Sequence, residues 1–225
     1  MYPLGRPRDV SVMEENNPRF LTISGIKFRV KTSTDLGANP SKPIVVLFHG
    51  FSFNLDVWGR TGTYEELARR SIPYIGVDLP KGEETKTQRK VFPKLSDYTS
   101  VLADLFKEAG ANLNSKLIIV GPSMGGAFAL TYAAERKEQI LGLVLVAPSL
   151  AGVSEDLLES LDVPVLLIWG DRDTIFPVEP KGREIKEMLS HSKLLIVKGA
   201  RHPVYLDRPS EFHELLFDFI EELIA

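Results

Sequence analysis

The sequence predicts an α/β fold: a mostly parallel central sheet flanked by helices on both faces, opened by an antiparallel N-terminal hairpin and carrying no substantial cap domain. Three observations carry this expectation. Short apolar runs alternate with stretches that can form helices along most of the chain. The runs are continuous rather than alternating, as expected for parallel strands buried on both faces. Residues 20–30 do alternate apolar and polar, with Leu21, Ile23, Ile26, Phe28 and Val30 on one side of a turn at Gly25. That is the pattern of a half-exposed strand pair.

The elements follow in order. The first eighteen residues are polar and proline-rich and read as a surface tail. After the hairpin, residues 35–42 form a loop. Ile44-Val45-Val46-Leu47-Phe48 is a buried strand ending at His49-Gly50. Thr63-Tyr64-Glu65-Glu66 has the form of a capping box opening a helix to about Arg70. Residues 72–77 form the next strand, and residues 81–94 are a polar loop of mixed charge. Ser96 can cap a helix that stops near Gly110. Strands follow at 117–120, 141–146, 163–169 and 194–197. Helices run from the glycine-rich segment after the first of these to about Arg136, over 180–189 and over 210–224.

Bulk properties narrow the classes. A chain of 225 residues can bury a sizeable core as one domain. A formal charge of −3 offers no attraction to nucleic acid. The longest apolar stretch, residues 140–147, is too short to cross a bilayer, and residues 1–6 lack the apolar core of a secretory signal. A cytoplasmic location is expected. With no cysteine, disulfides, thiolate metal sites and cysteine nucleophiles are excluded.

The chemistry centres on Gly121-Pro122-Ser123-Met124-Gly125. An apolar strand precedes it and a helix-forming segment, Gly126-Ala127-Phe128-Ala129-Leu130, follows. Strand, G-x-S-x-G, helix is the context of a nucleophile elbow, which exposes a serine hydroxyl above a sheet. A hydroxyl is a poor nucleophile near neutral pH and needs a base, a group that orients the base, and donors for the oxyanion. Around such elbows the partners follow in the order Ser, Asp or Glu, His. After the strand at 163–169 stand Asp171 and Asp173, of which Asp173 is favoured because the acid lies a few residues into the loop; Asp171 then braces the turn. Of four histidines, His202 alone stands in the loop directly after the last strand and takes the place of the base. His49 is placed to brace the oxyanion loop, His191 to cap a helix or face water, and His213 to pack on the last helix. The oxyanion donors are the backbone N–H groups of Met124 and Phe51. No metal and no cofactor is called for: Asp171, Asp173 and Glu179 could form an oxygen site, but the triad accounts for Asp173 more economically, and no phosphate-binding glycine loop is present.

With elbow, acid and base in order, residues 44–225 resemble the α/β-hydrolase superfamily. Gly199-Ala200-Arg201-His202-Pro203-Val204-Tyr205-Leu206-Asp207-Arg208-Pro209 and Val77-Asp78-Leu79-Pro80-Lys81-Gly82 resemble its small lidless CIB-type serine hydrolases. The chain departs from that group at Arg201, where glycine is usual, and at Gly121, where its elbow begins with serine. The resemblance implies a carboxylesterase-like serine hydrolase acting on a small ester through an acyl-enzyme. Serine at the nucleophile position argues against haloalkane dehalogenase and epoxide hydrolase, which place aspartate there. The cap of the superfamily inserts between the strands at 141–146 and 163–169, and sixteen residues cannot hold a multi-helix lid. Phe51, Phe53, Met124, Leu150, Phe176 and Val204 are the candidate walls of an open acyl pocket. The group is also named for contact with a transcription-initiation factor subunit, so a protein-interaction module is the competing class. Amide cleavage or acyl transfer at the same site is a third reading.

Overall fold

The computed structural model describes residues 17–36, 42–80, 92–112 and 114–225. The expected tail, and most of the expected loops at 35–42 and 81–94, lie outside these residues. β1 (Arg19–Ile23) and β2 (Ile26–Thr32) form the hairpin. Its two-residue turn puts Ser24 and Gly25 at φ 50° and 80°, the left-handed geometry that matches strand twist. Ile26, Phe28 and Val30 are buried, as the alternation predicts.

Six further strands complete one sheet: β3 (Ile44–Leu47), β4 (Tyr74–Val77), β5 (Leu117–Pro122), β6 (Ile140–Val146), β7 (Val165–Gly170) and β8 (Ser192–Val197). Their order is β1-β2-β4-β3-β5-β6-β7-β8. β2 runs antiparallel to β4, and β4, β3, β5, β6, β7 and β8 are mutually parallel. Successive strand residues feed opposite faces. Ile44, Val46 and Ile119 join one apolar cluster, while Val45, Leu47, Ile118 and Val120 join the other. The continuous apolar runs follow directly from this double burial.

The first face is covered by α3 (Asp97–Ala109) and α4 (Met124–Glu135) through Tyr98, Leu105 and Phe128. The second is covered by α1 (Val57–Arg60), α2 (Thr63–Arg69) and α8 (Pro209–Ile224) through Trp58, Leu67, Phe212 and Leu216. Between β6 and β7 the chain forms one short helix, α5 (Glu155–Glu159), so no lid domain interrupts the sheet there. Among the described residues, no helix is long and apolar enough to cross a membrane.

Several local expectations are corrected. The capping box at Thr63 does not form. The cap residue is Gly62 at φ 76°, and Thr63 begins the helix with its buried hydroxyl bonded to Thr61 and His213 instead. Ser96 sits at the start of α3 in helical geometry, and its side chain makes no capping bond. The helix expected over 180–189 is α6 (Arg183–Met188), preceded by a kinked turn at Val178–Gly182 in which Glu179 is extended. The helices α1, α5 and α7 (Val204–Asp207) have no counterpart among the expected elements; at four or five residues they are too short to show a period.

Candidate active site

The elbow lies where β5 ends and α4 begins. Ser123 adopts φ 49° and ψ −117°, a conformation that L-residues rarely take and that persists only when surroundings enforce it. Those surroundings are explicit. The Ser123 N–H donates to Val146 O at 2.9 Å, and the Ser123 carbonyl accepts from the Gly126 and Ser149 N–H groups at 2.9 and 2.8 Å. The flanking glycines are steric necessities. A Cβ on Gly121 would lie 2.7 Å from Gly125 O, and one on Gly126 would lie 2.4 Å from Pro148 Cβ.

Asp173 follows β7 and its side chain is fully buried. Its Oδ1 accepts from the Ile175 and Phe176 N–H groups at 2.8 and 2.9 Å, and its Oδ2 lies 2.7 Å from His202 Nδ1. A carboxylate that accepts at Oδ2 places the imidazole proton on Nδ1 and leaves the Nε2 lone pair available. The Phe176 ring stands edge-on to His202, with centroids 5.2 Å apart. Asp171 serves a different purpose. Its Oδ1 accepts from the Gly199 N–H at 2.6 Å and ties the loop after β7 to the loop after β8. Arg201 turns its guanidinium onto both carboxylate oxygens of Asp207. With Asp171 on Gly199, Asp173 on His202 and Glu179 on Arg183, these three carboxylates do not form a shared oxygen site.

The loop after β3 is braced from below. His49 Nε2 accepts from the Leu79 N–H at 2.8 Å, so Nδ1 carries the proton and donates to Gly50 O at 2.8 Å. Burial lowers the His49 pKa to about 4, so the ring is neutral. Asp78, also buried, accepts from the Leu55 N–H at 2.6 Å. Among the described residues no turn or loop hydrogen bond engages the Phe51 or Met124 N–H. Met124 opens α4, where first-turn amides have no intrahelical acceptor.

Ser123 and His202 line one cavity of about 360 Å³, together with Phe51, Phe53, Ile175 and Tyr205. No hydrogen bond links the Ser123 hydroxyl to His202 among the described residues; such contacts often tighten only when substrate binds. Of the six candidate wall residues, Phe51 and Phe53 lie on this cavity. Met124 instead lines a second cavity of about 590 Å³, whose walls include neither His202 nor Asp173. Leu150 packs against the first-face core, Phe176 against His202, and Val204 is fully buried in the second-face core. Sequence reasoning passed over Pro203, Tyr205 and Ile175. Tyr205 lies on the four-residue helix that follows His202 and Pro203, an element too short to show a period in the sequence.

The strand order, the elbow after β5 and the loops after β7 and β8 are those of an α/β-hydrolase. The family described as serine aminopeptidase, S33 (Hydrolase_4), matches residues 39–158. A curated relative from Pongo abelii, named "Putative protein-lysine deacylase ABHD14B", is 30% identical over 184 residues, covering 80% of this chain and 83% of the relative. The chain belongs to this α/β-hydrolase family. Among solved structures, a CIB-like hydrolase from Thermoplasma acidophilum superposes with a TM-score of 0.80 at 24% identity, covering 92% of this chain and 98% of that one. An esterase from Rhodococcus sp. ECU1013, RhEst1, gives a TM-score of 0.73 at 17% identity, covering 92% and 99%. These two likenesses are ones of fold.

Proposed function

We propose that the chain is a carboxylesterase-like serine hydrolase acting on small carboxylic esters through a Ser123–His202–Asp173 triad. Ser123 Oγ attacks the acyl carbon as His202 Nε2 takes its proton. Asp173 holds the imidazole through Nδ1 and stabilises its charged form. The Phe51 and Met124 N–H groups receive the oxyanion, a donor set in which each member is typically worth about 2.7–4 kcal/mol. The proton returns to the leaving alkoxide, and water then repeats the sequence on the acyl-enzyme. The observation that carries this reading is the 2.7 Å bond from buried Asp173 to His202, which shares a cavity with the strained Ser123.

The test is Ser123→Ala with p-nitrophenyl acetate. Activity should fall to background, and parental turnover by the variant would end the proposal. The relative's designation as a protein-lysine deacylase favours a second reading, cleavage of an acyl-lysine amide by the same triad. An acetyl-lysine peptide turned over faster than the ester would favour it. A protein-interaction role without chemistry would instead leave Ser123 unlabelled by a fluorophosphonate probe.

A further inference from the structure

The cavity holding Ser123 and His202 contains a polar group that the proposed mechanism leaves unused. Tyr205 is 2% exposed, and its ring packs against Trp58, Phe53 and Phe212 at centroid distances of 4.9, 6.2 and 6.1 Å. Its hydroxyl has no hydrogen-bond partner among the described residues. The hydroxyl is not sealed in the core, because Tyr205 borders the cavity. A buried tyrosine normally finds a partner for its hydroxyl, and a phenylalanine would fill this packing site without an unpaired polar atom.

The position of the hydroxyl is specific. A side chain starting at Gly50 would place its Cβ 3.6 Å from Ser123 Cβ and 3.7 Å from the Tyr205 oxygen. Glycine leaves that space empty, and Ser123 and Tyr205 both border it. Phe51, the proposed oxyanion donor, is the next residue. The space between Ser123 and Tyr205 is open to the acyl substituent of a carbonyl attacked by Ser123. Apart from Ser123, His202 and Tyr205, the polar side chain on the cavity wall is the exposed Ser52. Burial pushes the Tyr205 phenol well above the usual tyrosine range, so it stays protonated and able to donate.

We propose that the Tyr205 hydroxyl donates a hydrogen bond to the substrate's acyl group. It thereby favours short acyl groups with an oxygen acceptor near the scissile carbonyl over hydrocarbon acyl groups of equal size. This specificity role rests on the serine-hydrolase reading. The probes are p-nitrophenyl methoxyacetate and p-nitrophenyl butyrate, which differ by an ether oxygen in place of one methylene. Each kcat/KM is divided by the hydroxide-catalysed rate of the same ester, removing intrinsic reactivity. The parent should show a normalised methoxyacetate-to-butyrate ratio above one. Tyr205→Phe, which keeps the ring, should lower that ratio about tenfold, equivalent to about 1.4 kcal/mol.

A parental ratio of one or less overturns the assignment without recourse to the variant. So does an unchanged ratio in an active Tyr205→Phe protein. Equal loss on both esters also overturns it, since that marks a donor to the common oxyanion or a packing role. A parent inactive on both esters and unlabelled by a fluorophosphonate would end the hydrolase reading and this assignment with it.

Discussion

Gly170 closes β7, and replacing it with alanine should disable the site more than it destabilises the fold. A Cβ at this position would lie 2.2 Å from Ala200 O and 2.5 Å from Arg201 O. Both are backbone atoms of the loop that carries His202, so no side-chain rotation can relieve the clash. Carbon–oxygen contacts settle at about 3.3 Å or more, so the loops after β7 and β8 must part by about 1 Å. The stability cost of such overpacking is about 1–3 kcal/mol. For a chain of this size each kcal/mol lowers the melting temperature by about 2–4 °C. The second cost falls on the 2.7 Å bond between Asp173 and His202, which links these two loops. Another ångström takes it out of hydrogen-bond range. Misplacement on that scale costs about 10²-fold in rate. The assay is kcat/KM on p-nitrophenyl acetate, with thermal melts, at a temperature where both proteins are folded. Gly142→Ala is the control. Its Cβ would meet the tip of Leu223 at 2.6 Å on the α8 side of β6, so stability should fall while activity is kept. Parental kcat/KM in folded Gly170→Ala would refute the reasoning.

Two further outcomes are expected. Asp173→Asn should keep the fold but lower kcat by about 10⁴-fold, because an amide cannot hold the Nδ1–H tautomer or stabilise the imidazolium; a loss under tenfold would remove Asp173 from the proposed role. His49 should make folding sensitive to acid. Its folded pKa of about 4 lies below the unfolded value of about 6.5, so between those pH values only the unfolded chain binds the proton. Stability therefore falls as pH drops through that window, by about 3 kcal/mol for the full shift. His213, also lowered by burial, contributes with the same sign. His49→Gln should lose less stability than the parent between pH 7 and pH 4.5 in urea unfolding, and parallel losses would contradict the assignment.

Much of this architecture was legible because burial leaves a direct mark on the sequence. Strands buried on both faces must be apolar throughout, so β3, β5, β6 and β7 announced themselves. The elbow was legible because its backbone geometry tolerates few residues, as the contacts at Gly121 and Gly126 show. Asp171 and Asp173 were harder to separate, since both are acids after one strand. Only their partners distinguish them, a backbone amide for one and an imidazole for the other. The cavity walls were the least legible. Val204 and Tyr205 are adjacent and both buried, yet only Tyr205 reaches the cavity. That depends on the rotation of a four-residue helix, which leaves no periodic trace. The start of α2 was misplaced for a related reason: Thr63 has a capping side chain, but Gly62 supplies the backbone turn.

The three hydrogen bonds that hold the backbone of Ser123 join it to α4 on one side and, on the other, to Val146 at the end of β6 and to Ser149, three residues beyond it. The elbow is therefore a spring kept under tension by its neighbours. Val146 and Ser149 act as its catches. Loosening that stretch would let Ser123 relax toward ordinary backbone angles and swing its hydroxyl away, with every side chain of the proposed triad still present. In this molecule the sharpness of the elbow is a property of the strand next door.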